Sequence, residues 1–211
     1  MSKQIKDALR LLVLTVVAGA ALGVVYNVTK EPVAEAAQKK EQAAYKSVVP
    51  EAEKYEEIDN VDFNDANIAT TMQPILADAP GVQSDITIDK ELVGVDGDQV
   101  VGTVVNVTSH EGYGGDSDIS VGIREDGTVT GIEMLSISET AGLGMKAKEA
   151  DFKDQFKDKN VEKFTYTKTG ESGDDMIDAI SGATITTNAV TNAVDSALVY
   201  FQNELGGGSN E

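Results

Sequence analysis

The chain has 211 residues, no cysteine, one histidine and a formal charge of −19. Without cysteine there is no disulfide framework, no thiolate nucleophile and no cysteine-held iron–sulfur cluster; a lone His110 rules out a histidine-built zinc site, while carboxylate-bound metals stay open. The first 30 residues hold Lys3, Lys6, Arg10 and Lys30 against Asp7, which leaves 13 basic and 35 acidic residues downstream, a formal −22 that repels phosphate backbones and argues against a nucleic-acid partner.

The stretch "ALRLLVLTVVAGAALGVVYNV" is apolar from Leu11 to Tyr26, broken only by Thr15, and follows a basic flank. About 20 mainly apolar residues cross a bilayer as a helix, so the segment suffices if Ala8 and Leu9 join it and Arg10 snorkels. A cleaved signal peptide ending near Ala34 and Ala36 is the alternative, but the charge of Glu35 and the length of the apolar run favour an uncleaved, single-pass anchor. Lys3, Lys6 and Arg10 then put the N-terminus in the cytoplasm and the acidic domain on the outer face of the cell membrane, with Tyr26 as an interfacial anchor. "EPVAEAAQKKEQAAYKS", from Glu31 to Ser47, is rich in helix formers with Pro32 in a first-turn position, and predicts a helix continuing out of the membrane. The acidic run "EAEKYEEIDNVDFNDAN" predicts a linker with a helical turn or two.

β-branched alternation then predicts strands in "DITIDKELVGV", "QVVGTVVNVTSH", "DISVGIRE" and "GTVTGIEMLSISE". They are separated by turn formers at Asp96 to Asp98, Gly112 to Asp118 and Glu125 to Gly127, the pattern of an antiparallel meander. "LGMKAKEADFKDQFKDK" has helical composition and "VEKFTYTK" returns to a strand. In the last segment Val190, Val194, Leu198 and Phe201 recur at spacings of three and four, an amphipathic helix stopped by Gly206 to Gly208. The class is α+β: an anchor over 1–30, a membrane-proximal helix and linker over 31–80, and an antiparallel-sheet domain with flanking helices over 81–211.

"DAISGATITTNAV", Asp178 to Val190, concentrates hydroxyls and a glycine in front of that last helix. Thr186 or Thr187 reads as its N-cap, and amides at the helix start favour an anion near Thr184. Gly182 and Ala183 keep the backbone approachable. A Ser/Thr-rich cap with a turn glycine accounts for the same residues. His110 reads as a surface or turn residue, Asp174 and Asp175 as solvated charges, and the Asn-Val-Thr triplets at Asn27 and Asn106 as chance matches to a glycosylation pattern.

"DAISGAT" resembles the flavinylation motif of the FMN-binding domain shared by the G subunit of Rnf complexes and the C subunit of sodium-pumping NADH:quinone reductases. "ETAGLG", Glu139 to Gly144, is similar to that family's Glu-Thr-x-Gly-Leu-Gly segment, with Ala141 where proline is frequent. "GYGGD", Gly112 to Asp116, resembles its Gly-Tyr-Gly-Gly turn. The resemblance implies covalent FMN esterified through its phosphate to Thr184, with Asp178, Ser181, Gly182 and Ala183 as the recognition element and Thr187 beside it. It further implies a flavin pocket built by Glu139, Thr140, Leu143, Gly144, Tyr113 and Gly114, with no metal and no catalytic residue of the chain's own.

Nothing near Thr184 reads as a base for its hydroxyl, so the resemblance implies a separate magnesium-dependent flavin transferase that uses FAD as donor. Ionised acidic neighbours such as Glu139 would lower the flavin potential. The implied function is a membrane-anchored electron carrier, without net reaction alone, in an Rnf-type complex that couples ferredoxin:NAD oxidoreduction to sodium or proton translocation in a bacterial or archaeal membrane. Its implied partners are the other Rnf subunits, the transferase and membrane lipid. The quinone-reductase C subunit and a flavin-free envelope binding module are the alternatives.

Overall fold

The computed structural model describes residues 3–57, 85–171 and 173–204. Two compact units divide the chain, residues 1–42 and 43–211. Among the described residues the first unit is helix alone. It belongs to α1, Lys3–Val48, which runs unbroken through Pro32 as expected of an apolar helix continued by a helix-forming stretch. An 18-residue window of α1 has mean hydropathy 2.3, and among the described residues α1 is the one helix long and apolar enough to cross a membrane, consistent with a single-pass anchor.

The second unit is built on a five-stranded antiparallel sheet in sequential order: β1 Lys54–Glu57, β2 Ile86–Asp96, β3 Gln99–Ser109, β4 Ser117–Ile123 and β5 Val129–Ile137. The four strands expected from alternation are β2 to β5. In place of the expected helical turns, the acidic run carries β1, paired with β2 from Lys54 opposite Val95 to Glu57 opposite Leu92. An edge strand tolerates this charge. Its anchor is tertiary: Tyr55 tilts against Tyr45 at 5.7 Å between ring centroids and donates its hydroxyl to the Val49 carbonyl at 2.7 Å. The remainder of the run, from 58 onward to 67, lies outside the described residues.

Both faces of the sheet are covered, which explains why β3 is buried at consecutive positions from Gly102 to Val107. Val105 and Val107 face a core completed by Val190, Val194, Leu198 and Phe201 of the last helix, α3, Thr184–Glu204. Val104 faces the other way, with Leu92, and meets Tyr45, Val48, Val49 and Ala52 at the end of α1. Gly122 makes that contact possible: a Cβ there would overlap the Val48 carbonyl, which accepts the Thr130 hydroxyl. On the same face Asn106 is buried, donating to the Tyr45 hydroxyl at 2.9 Å and accepting from Ser120 at 2.7 Å, so its amide leaves no room for a glycan.

The segment with helical composition is not one helix. A 3-10 turn over Gly144–Lys148 leads to α2, Ala150–Lys153, and a second 3-10 turn over Asp154–Phe156. Glu149 is extended between the first two, at φ −75° and ψ 146°, because Ala147, Phe152 and Phe156 must all reach the core. "VEKFTYTK" supplies β6, Thr165–Thr167, as expected, but β6 pairs in parallel with a strand the alternation does not announce, β7, Met176–Asp178. The last helix starts at Thr184, earlier than expected, and is followed through Glu204; Gly206 to Gly208 lie outside the described residues.

Candidate functional site

The segment between β7 and α3 is held by side chains on either side. Asp178 donates its N–H to Gln155 Oε1 at 2.6 Å, and Gln155 Nε2 lies 3.4 Å from the Asp178 carbonyl. The Ala179 N–H reaches the Thr167 carbonyl at 2.8 Å. Ile180 to Ala183 form a turn closed by the Ala183 N–H on the Ile180 carbonyl at 2.9 Å, with Gly182 third at φ +77°, the arrangement of a type II turn that only glycine adopts without strain.

Thr187 does not cap α3. Its hydroxyl accepts the Ile180 N–H and donates to the Ala183 carbonyl, each at 3.0 Å, and it is fully buried. The first helical hydrogen bond runs from the Thr187 N–H to Ala183, so the residue at the cap is Ala183, whose side chain has no acceptor. Thr186, the other expected cap, lies within the first turn. Among the described residues no side chain accepts from the N–H groups of Thr184, Ile185 and Thr186, which point out of the helix start, where partial positive charge collects.

A cleft of about 590 Å³ opens at this helix start. Its lining brings together Tyr113, Glu139, Thr140, Leu143, Gly144, Gly182, Ala183 and Thr184, all expected from the sequence, and adds Ile185 and Thr186. Asp178, Ser181, Thr187 and Gly114 do not line it. Asp178 and Ser181 are exposed on the loop and Thr187 is committed beneath it. Gly114 lies tight on the segment that follows β5, where a Cβ would overlap the Ser138 carbonyl.

The cleft's walls are cross-linked. Glu139 Oε1 accepts the Tyr113 N–H at 2.8 Å. A Cβ at Gly144 would stand 2.6 Å from both Glu139 Oε2 and Thr186 Oγ1, so this buried glycine is the floor on which the two loops and α3 meet. Outside α1, the described residues leave four large apolar side chains exposed, and three of them, Tyr113, Leu143 and Ile185, border the cleft. An apolar rim beside free amides suits a ligand that is planar and apolar at one end and anionic at the other. Another hollow, along Leu9, Arg10, Val13, Leu14 and Val17, is the apolar surface of α1, with Arg10 at its edge.

His110 lies outside the cleft on the surface, with Nδ1 3.0 Å from Asp116 and Nε2 3.1 Å from the Thr87 hydroxyl. The Asp116 carboxylate raises its pKa above the ordinary histidine value. It closes the base of the loop that carries Tyr113. Glu111 on that loop accepts from Asn192 of α3 at 2.8 Å. Among the described residues no cluster of acidic or histidine side chains has a metal-binding arrangement.

The profile of the FMN-binding domain matches residues 112–199, the span that contains every wall of the cleft. Over 200 residues the chain is 31% identical to the G subunit of the Na(+)-translocating ferredoxin:NAD(+) oxidoreductase complex of Acetobacterium woodii, covering 94% of this chain and 91% of that protein. It is 30% identical over 207 residues to the G subunit of the ion-translocating oxidoreductase complex of Methanosarcina acetivorans, covering 97% and 98%. Among solved structures, NqrC of Shewanella oneidensis aligns with a TM-score of 0.47 at 21% identity, over 56% of this chain and 61% of that one.

Proposed function

The chain belongs to the family of G subunits of ion-translocating oxidoreductase complexes and carries its FMN-binding domain, and from that premise we propose that it is the anchored electron-carrying subunit of such a complex, with FMN esterified through its phosphate to Thr184. One observation carries the reading. Thr184 is the half-buried first residue of a helix whose leading amides have no capping side chain among the described residues, and it opens onto a cleft with an apolar, exposed rim. A phosphate ester on its hydroxyl would lie against those amides. Tyr113, Leu143 and Ile185 would cover a flat aromatic ring, above a floor in which Gly144 packs against Glu139 and Thr186.

Bound FMN supplies one- and two-electron transfer. The chain's own part is to hold that group, shield one side of it and set the charge around it through Glu139. Among the described residues no base hydrogen-bonds the Thr184 hydroxyl, which supports attachment by a separate transferase with FAD as donor. Ferredoxin and NAD are named for the Acetobacterium relative, and the same class of complex is assigned to this chain. Alone it passes electrons between neighbouring subunits and catalyses no net reaction. The anchor is α1, with the basic N-terminus cytoplasmic and the acidic domain outside.

Co-expression with a flavin transferase followed by denaturing electrophoresis tests the reading. The unfolded band is fluorescent under ultraviolet light and heavier by one FMN ester, and Thr184→Ala abolishes both signals. A parent chain that stays dark and unmodified defeats the carrier reading and leaves the flavin-free binding module. Label surviving in Thr184→Ala moves the attachment elsewhere.

A further inference from the structure

The loop that carries the acceptor threonine is closed by hydrogen bonds within the chain itself. Of its amides, those of Asp178, Ala179, Ile180 and Ala183 each have an acceptor: Gln155 Oε1, the Thr167 carbonyl, Thr187 Oγ1 and the Ile180 carbonyl. Two of these acceptors are side-chain atoms from outside the loop. Gln155 is held by the turn whose Phe156 is fully buried, in edge contact with Phe152 and Phe164 at 5.7 and 5.0 Å between centroids. Thr187 lies one helical turn beyond Thr184, with its hydroxyl spent on both ends of the type II turn.

We propose that Gln155 and Thr187 are positioning residues that preset the Asp178–Thr184 loop before modification, so that the transferase takes the folded domain as its substrate. The proposal rests on the reading of Thr184 as acceptor. In the transfer, Thr184 Oγ1 bonds to the flavin-side phosphorus of FAD and the phosphoanhydride bond breaks. AMP leaves with that electron pair and the hydroxyl proton passes to a base of the transferase; nothing is oxidised or reduced. A loop fixed at both ends presents Asp178, Ser181 and Gly182 outward and keeps Ile180 and Ala183 buried, which is the exposure pattern seen. A loose loop would lose its conformational entropy on binding the enzyme, and this would appear as weaker binding of the acceptor chain.

Two measurements on the full-length chain in detergent test this. In hydrogen exchange of the unmodified protein, the amides of Asp178, Ile180 and Ala183 are protected while those of Ser181 and Gly182 exchange freely; Gln155→Ala removes protection at Asp178, and Thr187→Val removes it at Ile180. In transferase kinetics with FAD, Gln155→Ala and Thr187→Val raise the KM for the acceptor chain about three- to tenfold, with kcat little changed and the Gln155→Ala melting temperature unaltered. Thr187→Ser, which keeps the hydroxyl, restores the parent KM. Fast exchange throughout 178–183 in the parent, or equal kcat/KM in parent and Gln155→Ala, overturns the proposal. A parent chain that accepts no flavin at all instead defeats the assignment of Thr184, and the exchange pattern still reports on the loop. If Thr187→Val fails to fold, Gln155→Ala alone decides.

Discussion

Glu139 accepts the backbone N–H of Tyr113 at 2.8 Å across 26 residues of chain, and so ties the tip of one glycine loop to the start of the other. The carboxylate has two separable roles. Its oxygen fixes Tyr113 at the cleft mouth, and its charge opposes gain of negative charge by whatever occupies the cleft. Glu139→Gln keeps an oxygen that can accept from Tyr113 and removes the charge. A potentiometric titration of the flavin-loaded variant is expected to show a midpoint raised by about 30 mV, a tenfold change for a two-electron couple. An unchanged potential would show that this carboxylate does not sense the flavin.

Gly144 makes the opposite kind of prediction, in which space matters more than charge. A methyl group there would meet Glu139 Oε2 and Thr186 Oγ1 at 2.6 Å, and the Glu139 Cβ at 2.8 Å. Neither wall is free to retreat, since Glu139 is bonded to Tyr113 and Thr186 sits in the first turn of α3. Gly144→Ala is expected to cost about 1–3 kcal/mol in urea denaturation. It also raises the accessibility of attached flavin to iodide quenching, because the floor is lifted toward the mouth. Parent-like quenching with parent-like stability would place the ring elsewhere.

Much of the domain was legible because its signals are local. β2 to β5 follow from alternation and turn residues, and α3 from the stripe of Val190, Val194, Leu198 and Phe201. β1 and β7 were not, since the charged stretch around Tyr55 and the short segment ending in Asp178 become strands only through partners distant in sequence. At the site, the glycine motifs led to Tyr113, Glu139 and Gly144 on one side and Gly182 to Thr184 on the other, but missed Ile185 and mistook the task of Thr187. The helical stripe held that information. At 3.6 residues per turn, Thr187 falls in phase with Val190 and Val194, hence inward, whereas Ile185 falls roughly opposite, hence exposed and available to the cleft. What periodicity cannot supply is Gln155, whose contact with Asp178 depends on how two 3-10 turns fold back on the sheet.

The absence of cysteine makes the orientation of the chain directly measurable. A single cysteine at Gln4, ahead of the apolar run, and another at Asp98, in the turn between β2 and β3, are the two probes. In intact cells a membrane-impermeant maleimide is expected to label Asp98→Cys and to leave Gln4→Cys unlabelled until the membrane is permeabilised. The reverse pattern would put the domain in the cytoplasm, and labelling of both in intact cells would argue against a spanning α1.

Asp195 gives the domain a pH dependence whose sign can be worked out. It is buried on α3, and loss of solvent pushes its carboxyl up to about 7 although the Phe164 N–H, at 2.7 Å, and the charge of Lys163 favour the ionised form. In the unfolded chain it titrates near its ordinary value of 3.8. Between those two values the native state holds a proton that the unfolded state has released, so stability from this group is complete below about 4 and is lost as pH rises through 7. Asp195→Asn keeps an oxygen for the Phe164 N–H and cannot ionise. The parent is therefore expected to lose on the order of 2–4 kcal/mol relative to the variant between about pH 4.5 and pH 8 in urea denaturation. His110, also raised, loses stability in the same direction, but it is common to both chains and cancels in the difference. Parallel pH profiles for parent and variant would show that Asp195 is ionised in the fold throughout, with water or a counter-charge reaching the groove between α3 and Phe164.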